Sequence, residues 1–133
     1  MTGAGAIRWI MIVSGALTCT MVTTAFTPAE TLRSIFGVWP ESPETDLVAR
    51  NWAILIGLMG ALLVYGAFHP AVRKTALVVA GASKAVFVTL VLSQGNRFLS
   101  HQAGIAVAVD GVWVLIFAAY LWSSRGRRIA ATH

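Results

Sequence analysis

Three ionisable residues stand where a chain this apolar can least accommodate them. Arg50, Lys84 and Asp110 lie inside or at the edge of long runs of Ala, Val, Ile, Leu, Gly and Phe. A charge at the bilayer centre costs about 2.5–3.5 kcal/mol on insertion scales, so such residues turn inward, find partners and often mark sites. Two chemistries are open to this set. A buried Lys84–Asp110 pair can lock two helices together. Two cations and one acid can also receive a small anionic or lipid-soluble ligand, with Arg50, Lys84 and Asp110 as its binding cluster. Acid–base catalysis is poorly served, because Asp110 is the only acid within an apolar run and leaves any general base without a partner. No Ser-His-Asp set or phosphate-binding loop is present, so no catalytic residue is assigned. His69, His101 and His133 are too divided by the topology derived below to hold a metal. Neither a metal nor a cofactor is expected.

The elements that must position these residues follow from composition. Of 133 residues, 57% are hydrophobic and 11% are charged, against roughly 25% charged in an ordinary soluble domain. This excludes disorder, a coiled coil and a normal soluble enzyme. A single cysteine, Cys19, excludes an intrachain disulfide framework. Net charge is +5, but the cations flank apolar runs rather than forming a stripe with interleaved aromatics, so no nucleic-acid partner is expected. The partner is the lipid bilayer.

Four apolar runs, about 9–26, 49–68, 75–95 and 103–122, each approach the ~20 residues that cross a bilayer as a helix. They lack the period-two alternation of a membrane β-barrel. The first is too long for a signal-peptide core and reads as a retained span. The expected fold is all-α, an integral membrane four-helix bundle forming one transmembrane domain over 1–133, with a basic tail at 123–133. Between the first two spans, Thr27-Pro28-Ala29-Glu30 reads as a capping box with proline at the first helical position. Leu32, Ile35 and Phe36 follow on one face and Gly37 stops the turn. A short amphipathic surface helix is expected over about 28–36.

Orientation follows from Lys and Arg. Arg8, Arg73, Lys74, Arg125, Arg127 and Arg128 fall on one side, and Arg33, Arg50 and Arg97 on the other. This places both termini in the cytoplasm and the chain in a bacterial cytoplasmic (inner) membrane. At 1.5 Å per residue, Lys84 lies near the middle of its span and Asp110 roughly 10 Å deep in the next, so their heights match. Ala53, Gly57 and Ala61 form a small-residue stripe beginning one turn after Arg50, suited to helix packing. It turns Arg50 toward the interior and offers a seam for a partner helix. The three charges would then share one pocket leaning outward, with Asn51, Gln94, Asn96, Arg97, His101 and Gln102 at its mouth.

Several of these features together resemble the small four-helix DoxX-like membrane proteins. They are the long structured first loop, Arg50-Asn51-Trp52 opening the second span, Gly57 and Gly60 within it, the short His69-Pro70-Ala71-Val72-Arg73 turn, and a polar residue in the fourth span. The likeness covers about residues 25–122. It implies a four-helix bundle, often of unassigned activity, some members being accessory subunits of membrane redox systems; it carries over no cofactor ligand. The expected function is a non-catalytic membrane module, a subunit or a homo-oligomer. The alternative is a binder or transporter of a small ligand at the charge cluster.

Overall fold

The computed structural model describes residues 3–39 and 41–130; Pro40 and the tail end 131–133, with His133, lie outside the described residues, as do the side chains of Arg127 and Arg128. Its regular elements are helices: α1 (Gly3–Cys19), continued by a 3₁₀ segment (Thr20–Ala25), α2 (Pro28–Phe36), α3 (Pro43–Phe68), α4 (Pro70–Ser93) and α5 (Gln102–Ala130). Four stretches, Gly3–Ala25, Pro43–Phe68, Pro70–Ser93 and Gln102–Gly126, are long and apolar enough to cross a membrane. The chain is an all-α membrane bundle.

The spans run longer than their apolar cores because the ends are stabilised locally. α3 begins at Pro43, a turn and a half before the expected start near Ala49. Ser42 is its N-cap, extended in backbone, with Oγ accepting the amide of Thr45 at 3.1 Å, and Pro43 fills a first-turn position. The polar residues Glu44, Thr45 and Asp46 hid this from a hydropathy reading. The expected connection 69–74 shrinks to His69 alone, since Pro70 opens α4 directly. Toward its end the first span tightens into a 3₁₀ segment. There Thr20 Oγ1 donates to Leu17 O at 2.6 Å and Thr23 Oγ1 to Thr20 O at 2.7 Å, side-chain bonds that compete with regular α pairing.

The surface helix α2 occupies the expected residues, but its cap differs. Thr27 has φ −132° and ψ 57°, away from the extended backbone a capping side chain needs, and it makes no cap bond. The stop is as expected: Gly37 is left-handed at φ 79°, and its N–H reaches Arg33 O at 2.8 Å. Ile35 is buried, and the Phe36 ring meets Phe98 edge-on at 5.4 Å and Trp52 at 6.4 Å. α2 thus docks by one apolar face against α3 and the segment before α5.

α1 packs on α3, α3 on α4, and α4 on α5. The α1–α3 seam is the tightest. A Cβ at Gly60 would fall 2.6 Å from Gly15 O and 2.7 Å from Cys19 N, and one at Gly57 would collide with Val22. Cys19 Sγ donates to Gly57 O at 3.6 Å across this seam. The stripe is therefore Ala53, Gly57 and Gly60, and its partner is the first span of the same chain, α1 with its 3₁₀ continuation. Ala61, expected in it, is exposed, because a step of seven residues returns to the starting face while eight overshoots by about 80°. Ile7, Met11, Leu63, Ala67, Ala76, Leu77, Ala80 and Phe117 make the main core.

Candidate functional site

Small residues on the inward face of α4 place Lys84. Ala76, Leu77 and Ala80 are buried one and two turns before it, and Phe117 of α5 rests 3.6 Å from the Cβ position of Gly81. Ala80 and Gly81 leave room beside it, and the long Lys84 side chain runs between helices instead of along the surface. Its Nζ donates to Asp110 Oδ1 of α5 at 2.6 Å and to Thr18 Oγ1 of α1 at 3.2 Å. Thr18 in turn donates to Ser14 O, one turn earlier, at 2.8 Å. The side chains of Lys84 and Asp110 are 11% and 21% exposed. One ammonium group thereby ties together α1, α4 and α5, although neither α4 nor α5 makes with α1 the close backbone approach seen between α1 and α3, α3 and α4, and α4 and α5.

The electrostatics of this arrangement are those of a closed pair. In a low-dielectric interior a charge is tolerated when paired and hydrogen-bonded, and removal of one partner strands the other. Lys84 has an acid and a hydroxyl oxygen as acceptors, so a lone cation is not held ready for an incoming anion. Ser14 Oγ, fully buried on the Thr18 face of α1, has no protein partner. Thr18 is one of several threonines in the first span, and nothing in its spacing singles it out as the Lys84 acceptor.

Arg50 does not join the cluster. Its Nε donates to Asp46 Oδ2 at 2.6 Å, one turn earlier on α3, and its Nη1 to the Ala25 carbonyl at the end of the first span. The pair is 44% and 41% exposed. The i,i+4 relation of Asp46 and Arg50 is visible in the sequence, but only once the helix is started at Ser42 rather than Ala49. Arg50 secures the outgoing carbonyl of the 3₁₀ segment and anchors α3 to it.

The expected mouth residues are also dispersed. Asn51 and Asn96 are exposed. Arg97 lies over the Phe98 ring at 5.3 Å. The exposed His101 ring sits where a Cβ on Gly37 would be, so it packs against the end of α2. Gln94 lines a cleft of about 510 Å³ under α2, together with Phe36, Trp52, Phe87, Val91 and Phe98. That cleft is apolar, not polar, and neither Lys84 nor Asp110 lines it. The reason is height: Gln94 follows Lys84 by ten residues, roughly 15 Å along α4. A second cleft, at the opposite end, lies between the start of α4 and the end of α5.

Compared with known proteins, the chain matches no family model, no curated relative and no solved structure.

Proposed function

We propose that this chain is a non-catalytic membrane module, a subunit or homo-oligomer, in which the buried charges brace the bundle. The single observation that carries the reading is the closed geometry of Lys84, Asp110 and Thr18, where each charge is met by protein. The outward face of α5 supports it. Ile105, Val109, Val112 and Leu115 are 68%, 43%, 55% and 71% exposed along one side, an apolar face suited to lipid or a neighbouring helix. The same reading takes the chain as a DoxX-like protein of the bacterial inner membrane. Its termini are cytoplasmic, on the strength of the Lys and Arg distribution.

Native mass spectrometry of gently extracted protein tests it. The module reading expects the protomer or a defined oligomer carrying only lipid. A stoichiometric non-lipid mass that vanishes in a folded Lys84→Met, Asp110→Leu double variant would favour a ligand-handling site instead. Orientation is read separately, by labelling single cysteines at Ser42 and Ser124 in a Cys19→Ser background. Ser42 should react from outside only and Ser124 from inside only; the reverse would invert the topology.

A further inference from the structure

The five acidic side chains of this chain are unevenly placed. Glu30, Glu41, Glu44 and Asp46 all fall between the first span and the apolar part of α3, and Asp110 is committed to Lys84. No carboxylate side chain remains for the other end of the bundle. There the start of α4 and the end of α5 enclose a cleft of about 250 Å³ lined by Arg73, Lys74, Tyr120, Ser124 and Arg125 among others. The ion pairs among the described residues involve none of these cations.

Arg73 is held in place. Its Nε donates to Gly66 O at 3.3 Å and its Nη2 to Ala67 O at 2.9 Å, the last carbonyls of α3. These neutral acceptors fix the guanidinium without neutralising it. Lys74 and Arg125 are exposed beside it, and the positive end of α4 points the same way from Pro70. Three like charges converging on a cleft repel one another unless an anion lies between them. The cleft opens at the ends of two membrane-spanning helices, the level of lipid headgroups, where basic pockets between helices hold anionic headgroups.

We propose that this cleft binds the phosphate of an anionic phospholipid, with Arg73 as the fixed fork, Lys74 and Arg125 as its flanking cations and the Tyr120 hydroxyl as a further donor. Such a site is independent of the module role, and a built site differs from general attraction of a basic membrane surface in how it responds to where a charge is removed.

The test uses the full chain in detergent, titrated with phosphatidylglycerol and with phosphatidylcholine of the same acyl chains and followed by native mass spectrometry. The proposal expects phosphatidylglycerol to be retained preferentially. Lys74→Gln with Arg125→Gln should weaken it on the order of tenfold or more and leave phosphatidylcholine unchanged. Arg8→Gln is the comparison. Arg8 lies at the same end over the Phe68 ring, 4.7 Å from its centroid, outside the lining. Arg8→Gln should matter much less than Lys74→Gln, and equal losses would overturn the proposal in favour of diffuse attraction. Displacement of phosphatidylglycerol by millimolar inorganic phosphate would assign the cleft to a free anion and also overturn it. If the double glutamine variant fails to fold, Lys74→Gln and Arg125→Gln are each compared singly with Arg8→Gln: a greater loss at either supports the cleft, and losses equal to that of Arg8→Gln contradict it.

Discussion

Two ion pairs in this bundle have the same length and different consequences. Lys84–Asp110 and Arg50–Asp46 both close at 2.6 Å. The first joins two spans and is mostly buried; the second joins successive turns of α3 and is more than two-fifths exposed. Water and counterions screen the second, and its partners are held near each other by the helix whether or not they bond. The first has no such substitute. Lys84 separated from Asp110 would be a cation between apolar helices, with Thr18 as its remaining acceptor. Burial and sequence separation, rather than length, decide which pair the architecture depends on.

The largest expected effect breaks the buried pair from one side. Lys84→Met or Asp110→Leu alone should destabilise the folded bundle by about 3 kcal/mol, read as a lower unfolding temperature and a smaller monodisperse fraction in detergent. Next is the seam that brings Thr18 within reach of Lys84. Gly60→Val sets a side chain against the backbone of Gly15 and Cys19 and should cost about 1–3 kcal/mol, while Ala61→Val, on the exposed side, should leave the thermal melt unchanged. Smaller again is the start of α3, which sets the register of Asp46 and Arg50. Ser42→Ala should cost about 1 kcal/mol through the lost cap, whereas Thr27→Ala at α2 should not change stability, because Thr27 makes no cap bond. Last is the exposed pair itself: Asp46→Ala should leave the melting temperature within experimental scatter. A large shift there would erase the contrast between the two pairs.

Much of the fold was legible because lipid imposes few solutions. Runs of about twenty apolar residues become helices, and α2 followed from Pro28, the Leu32, Ile35 and Phe36 face, and Gly37. The ends were less legible. Residues 43–48 are helical for reasons of capping, not hydropathy, and missing that hid the Asp46–Arg50 pair. Of the candidate cluster, the matched depths of Lys84 and Asp110 could be read from rise per residue, and the structure places those two together. Arg50 could not be assigned by face alone. A long side chain reaches several partners, and its choice rested on Asp46 and the Ala25 carbonyl, neither placed beside it by a hydropathy reading. The small-residue stripe was visible, but whether it meets a neighbour in the same chain or another is a question of tertiary packing that spacing does not answer.

The central claim is that Lys84 and Asp110 brace the bundle as a pair. A double-mutant cycle on the intact chain in detergent tests it most directly, comparing Lys84→Met, Asp110→Leu and the two together by reversible unfolding. The account predicts strong coupling: each single variant is less stable than the double, which regains much of the loss because no unpaired buried charge remains. Additive losses, with the double variant the least stable of the three, would contradict it.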